Sequence, residues 1–187
     1  MYIEPEEYFT ESARRILEEG ETPKVLFEHL SRCCMDFTNK GLRGFTIFDD
    51  GSYCETNYKP KTKNGNLFSS SKIKQLDEKN YQRKLIFTSE KLAETVNKFI
   101  EAHKDEINNL PKFINNSLVL DGNEDLVRIG DKSIPGCNIF YSTPYKINAT
   151  TFKDLDSEHQ KNEKALELLT TLYAQIENII DKEKGKI

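Results

Sequence analysis

The sequence predicts an α+β fold: a mostly antiparallel sheet of about five or six strands packed against two long helices, with an N-terminal helical hairpin to one side. Three observations predict it. Two stretches, Leu92–Leu110 and Ala165–Ile180, keep apolar residues at helical spacing. Two runs rich in aromatic and β-branched residues flank Asp50-Gly51, a pair suited to a tight hairpin turn. The strict alternation of strand and helix that a doubly wound parallel sheet requires is missing.

A length of 187 residues is enough for one substantial core, so the expectation is a single domain over 1–187. It divides into a helical hairpin (1–41), a β-hairpin with a basic loop and a strand (42–88), and a helix, three strands and a long C-terminal helix (89–187).

In the hairpin region, Pro5 and Glu6-Glu7 suit a helix start and Gly20 a stop. Thr22-Pro23 opens a second helix whose stripe would be Leu26, Leu30, Cys33, Cys34 and Phe37, ending at Gly41. Phe45–Asp49 and Ser52–Thr56 form two strands, with Ile47 expected opposite Cys54 and Phe48 opposite Tyr53. Pro60, Asn64-Gly65-Asn66 and Ser69–Ser71 mark a loop over 59–71, a short turn or helix follows at 73–77, and Lys84–Thr88 reads as a strand.

Ser89 caps a helix expected to run unbroken to Leu110, where Pro111 ends it. Short strands are expected at 117–120, 126–129 and 138–142, with turns at Asp121-Gly122-Asn123 and Pro135-Gly136. Ser157 and Gln160 form a capping-box pattern for the last helix. Its stripe is Ala165, Leu169, Leu172, Tyr173, Ile176, Ile179 and Ile180.

Composition narrows the class. With 36% hydrophobic and 31% charged residues, the chain is globular with a heavily solvated surface. The acidic start and the lack of an ~18-residue apolar run argue against a signal peptide or a membrane span. The four cysteines form no disulfide framework, which points to a reducing, cytoplasmic setting. Abundant Lys, Asn and Ile suggest a microbial or viral source.

Charge is segregated. Residues 1–58 carry 6 basic and 12 acidic side chains, whereas residues 59–84 carry 8 basic and 2 acidic, a net of +6 in a chain of net −4. The basic segment supplies the candidate partner-binding residues Tyr58, Lys59, Lys61, Lys63, Lys72, Lys74, Tyr81, Arg83 and Lys84. Lysine and arginine suit phosphates and exposed aromatics can stack on bases, so a nucleic-acid-binding module is one reading. The same loop could dock an acidic protein, or its lysines could serve solubility alone.

Catalytic constellations are thin. His29, Cys33, Cys54 and Cys137 have the composition of a zinc site or a thiol enzyme, but no Cys-x-x-Cys pair anchors them, and Cys33 shares the stripe of Leu26 and Leu30. Asp77-Glu78-Lys79, with Asp49 or Asp50 upstream, matches half of a metal-dependent nuclease pattern, although turn chemistry already explains Asp50. No catalytic residue, metal or cofactor is therefore assigned. The expectation is a non-enzymatic binding protein of inhibitor, immunity or adaptor type, engaging a protein or nucleic acid through a charged surface. The alternatives are the nucleic-acid module of 58–84 and, behind it, a small nuclease.

Overall fold

The computed structural model describes residues 24–33, 41–58, 81–115, 123–137, 139–140 and 157–186. The expected first helix, the loop at 59–71, the turn at 73–77 and the strand at 117–120 lie outside these. Seven strands form one sheet: β1 (Val25–Cys33), β2 (Leu42–Phe48), β3 (Ser52–Tyr58), β4 (Tyr81–Thr88), β5 (Ile114–Asn115), β6 (Asn123–Ile129) and β7 (Lys132–Cys137). Their order is β4-β3-β2-β1-β6-β7-β5. Every pairing is antiparallel except the short parallel contact of β5 with β7.

The second helix of the expected N-terminal hairpin is instead β1, the central strand. Its residues pair on one side with β2 and on the other with β6. A strand buried on both faces reads as an apolar run, and in a short run helical and strand spacing overlap. Leu26 and Leu30 satisfied the helical count by this coincidence.

The β2–β3 hairpin forms as expected, but one register apart. Ile47 faces Tyr53 and Thr46 faces Cys54. The Gly51 N–H donates to the Phe48 carbonyl over 3.1 Å, so Asp49, Asp50 and Gly51 make a three-residue connection rather than a two-residue one. Gly51 takes a φ of 84°, which a side chain would resist. Its carbonyl accepts the Ser89 N–H at 2.9 Å and so fastens this turn to the start of the next helix.

Three helices are described: α1 (Glu90–Ala102), α2 (Lys104–Asn108) and α3 (Ser157–Lys184). Ser89 caps α1, its hydroxyl accepting the Leu92 N–H at 3.4 Å. The helix expected to continue to Leu110 breaks at His103, which leaves helical dihedrals while its ring packs 4.3 Å from Phe99 and its Nδ1 bonds Glu106. Ile107 on α2 still reaches the core, which is why the apolar spacing ran on through the break. One long helix and a broken pair thus replace the two long helices expected.

β6 matches its expected position and is longer. A strand forms at Lys132–Cys137, and its turn is Gly130-Asp131 rather than Pro135-Gly136; of the strand expected at 138–142 only Ile139 and Phe140 are described, in a turn. β5 meets β7 only at Gly136 and Cys137, so at Pro135 the strand has β6 on one side alone. An edge position tolerates a residue without an N–H.

The two faces of the sheet differ. Phe27, Phe45, Ile47, Tyr53, Val127 and Ile129 pack under Leu92, Val96 and Phe99 of α1 and Leu169, Leu172 and Ile176 of α3. The other face holds two small apolar clusters, Leu30–Leu42–Tyr58–Leu126 and Val25–Phe48–Cys54. Polar side chains lie buried between them. At Gly44, β1 and β2 approach so closely that a Cβ would lie 1.9 Å from the His29 carbonyl oxygen. Gly44→Ala must therefore push the central strands apart. We expect it to lower the unfolding free energy by about 1–3 kcal/mol or more, read from urea titration.

Candidate functional site

The nine residues singled out from the basic segment do not share a described surface. Lys59, Lys61, Lys63, Lys72 and Lys74 lie outside the described residues. Lys84 is exposed on β4. Tyr58 is only 4% exposed, and its ring lies 4.6 Å from that of Tyr81. Arg83 is 7% exposed and turned into the sheet.

Strand alternation explains the inward turn. Tyr81, Arg83 and Leu85 share the face of β4 opposite the helices, and their neighbours on β3 are Tyr58, Thr56 and Cys54. At the centre of that face is Glu28 of β1, which is fully buried. Its Oε2 accepts the Thr46 hydroxyl at 2.6 Å and lies 3.5 Å from Arg83 Nη2. Its Oε1 accepts the Tyr81 hydroxyl at 2.9 Å and lies 3.6 Å from Arg128 Nη1. Thr56 joins through Thr46 at 2.7 Å. The Arg83 guanidinium also lies 4.0 Å from the Tyr81 ring centre and 5.3 Å from that of Phe48. One carboxylate therefore gathers side chains from β2, β4 and β6, and β3 through Thr46.

Glu28 and Arg128 were missed in the sequence. The signal was a lone charge in the apolar run Val25–Leu30, which a helical reading turns outward to solvent.

The other face carries a second polar pair. His29 Nε2 donates to Asp125 Oδ1 at 3.0 Å, and Asp125 Oδ2 accepts the Ile139 N–H at 2.8 Å. The imidazole is edged by Phe45, Phe140 and Tyr173, with the Phe140 ring 4.5 Å away. The Ser31 hydroxyl, across the strand pair from Asp125, makes no hydrogen bond among the described residues, so the pair is not wired to a nucleophile there.

His29 and Cys54 lie on opposite faces of the sheet, which removes two members of the zinc or thiol set from each other's reach. No group of metal-ligating side chains forms among the described residues. Burial pushes the Cys54 thiol up to about 12, against a smaller opposing pull from Arg83, so it is a poor nucleophile. Of the half-nuclease pattern, Asp77 and Lys79 lie outside the described residues. Asp50 accepts the Ser52 N–H at 2.9 Å, a turn role, and Asp49 accepts the Lys24 N–H at 3.2 Å, tying the turn to the segment before β1.

A groove remains, and no sequence motif pointed to it. The end of α1, the short α2 and the N-terminal half of α3 frame a depression of about 790 Å³. Phe99, Leu110, Pro111, Ala165 and Leu168 supply its apolar lining. His103, Asp105 and Glu106 stand on the α1–α2 side, and Lys161, Lys164 and Glu167 on α3. The break at His103 re-aims α2 and so places the acidic pair opposite the lysines. Phe113, two residues past Pro111, is the one exposed large hydrophobic side chain among the described residues, at 43%. This arrangement can bind, and His103 and Glu106, bonded to each other, both line it.

No helix among the described residues is long and apolar enough to cross a membrane. No protein-family model, curated protein or solved structure matches the chain.

Two predictions follow from the buried groups. Glu28→Ala leaves two arginines facing an emptied site, and we expect about 3–5 kcal/mol of stability to be lost in denaturant titration. Alkaline pH acts on the same sheet. Burial raises Cys54 from 9.0 to about 12, and burial is likewise the largest cause that takes Tyr53 and Tyr173 from 10.0 to about 12. Burial also raises Tyr81, reinforced by the charge of Glu28. A raised acid binds its proton more tightly when folded, so its stabilisation is complete below the unfolded value and is lost as pH climbs. Unfolding free energy should therefore fall steadily between about pH 9 and 12, with these phenols ionising late in absorbance at 295 nm.

Proposed function

We propose that this chain is a non-enzymatic binding protein of inhibitor, immunity or adaptor type, engaging a protein partner through a charged surface. The observation that carries this reading is the groove between α1–α2 and α3. It combines an apolar floor, walls of opposite charge and an exposed aromatic two residues past the Pro111 lining, the composition of a protein contact. The deep ionisable groups support it from the other side. Glu28 is committed to four side chains and Asp125 to His29 and a backbone N–H, so both serve the sheet. A free, buried Cys54 fits a cytoplasmic setting.

The nucleic-acid reading loses support at the described end of its segment. Arg83, its one source of a bidentate fork, is held by Glu28, and Tyr58 is buried rather than available for stacking.

The test is affinity purification of the tagged chain from its native cell, with and without nuclease. Wild type is compared with Lys161→Glu/Lys164→Glu. A stoichiometric protein, retained after nuclease and at least about tenfold depleted by the variant, is the expected outcome. Recovery of nucleic acid in place of protein, or a partner indifferent to the variant, would overturn the reading.

A further inference from the structure

We propose that the partner of this groove is a second copy of the same chain, joined about a two-fold axis with Phe113 of each copy seated against the groove of the other. The inference rests on the binding reading above and names its partner.

Charge decides between occupants. Asp105 and Glu106 make one wall acidic, whereas the α3 wall carries the exposed Lys161, Lys164 and Glu167 and is positive on balance. A uniformly acidic partner would be attracted by α3 and repelled by α2, and a uniformly basic one the reverse. A nucleic acid meets the same conflict at the acidic wall. A two-fold axis removes it, because rotation lays the acidic wall of each copy against the lysines of the other. Isologous interfaces require this self-complementarity, in which one patch meets itself reversed. Phe113 supplies the anchor. It is 43% exposed, whereas the other large apolar side chains among the described residues are at least partly covered. An aromatic side chain outside an apolar groove of about 790 Å³ is a ready occupant for the equivalent groove of its twin.

The experiment uses purified full-length chains in sedimentation equilibrium from about 1 to about 200 µM. Wild type should show a concentration-dependent dimer, and Phe113→Ala should raise its dissociation constant about tenfold or more. Asp105→Lys/Glu106→Lys makes both walls basic, and Lys161→Glu/Lys164→Glu makes both acidic. Each variant alone should be monomeric, and a 1:1 mixture should form a heterodimer, because only unlike copies then present opposite walls. Circular dichroism checks that α2 survives. If it does not, Phe113→Ala and Lys161→Glu/Lys164→Glu, at exposed positions outside α2, carry the test.

A wild type that stays monomeric across the range overturns the proposal, as does a dimer indifferent to every variant. A monomeric wild type that still captures a different protein in a groove-dependent way ends self-association while leaving the binding reading intact. A groove-independent capture ends the binding reading itself.

Discussion

One buried carboxylate sets the terms of this structure. Glu28 has no solvent contact, and removing a charge from water is costly unless it is both paired and hydrogen-bonded. Each of its oxygens therefore takes one hydroxyl hydrogen bond and one guanidinium. The partners come from three other strands, with a fourth joined through Thr46 and Thr56. Slipping any of these strands by one residue would send its side chain to the opposite face and strand the charge. The network thus specifies register more than it adds net stability, and the small apolar clusters on either side exclude water from it.

The opposite face follows the ordinary logic of a sheet covered by helices. α1 packs over β1 and β2, and α3 lies beside it with Leu169, Leu172 and Ile176 in the shared core and the Tyr173 ring against His29 and Phe45. Aromatic side chains dominate where the two layers meet, with Tyr173 and Phe140 stacked at 4.2 Å beside the His29–Asp125 pair. Because both faces of the sheet are filled by packed side chains, the groove lies at the end of the helix layer. There α1 breaks and the groove opens.

Much of the fold was legible where a local rule decides the outcome. Ser89 reads as a cap and is one. The α3 stripe predicted from spacing is buried, apart from the half-covered Tyr173. Asp50-Gly51 marks a hairpin because a turn demands that chemistry locally. Legibility failed where long-range pairing decides. Nothing near Leu26 and Leu30 says that they will be flanked on both sides by strands, and without that knowledge a helix is an equal reading. Pro135-Gly136 is a turn by dipeptide rule and a strand by its position against β6 and β5. The same limit hid the site. Arg83 looked like a surface cation because its countercharge, Glu28, lies 55 residues earlier, and the groove requires residues of α1, α2 and α3 that no sequence window contains together.

The placement of β1 also has a kinetic side. β2, β3 and β4 follow one another in the sheet in chain order, and β6 and β7 form a two-residue hairpin, so these can form early from nearby contacts. β1 must wait. Its contacts across β6 include His29 with Asp125, 96 residues apart, and such closures are slow because chain entropy is lost before any contact compensates. On the ribosome, β1 emerges well before the strand β6 that completes its pairing. Until β6 emerges, one whole edge of β1 offers unpaired amides and carbonyls, and Glu28 lacks its Arg128 partner. That interval is when the nascent chain is most exposed to pairing with the wrong strand.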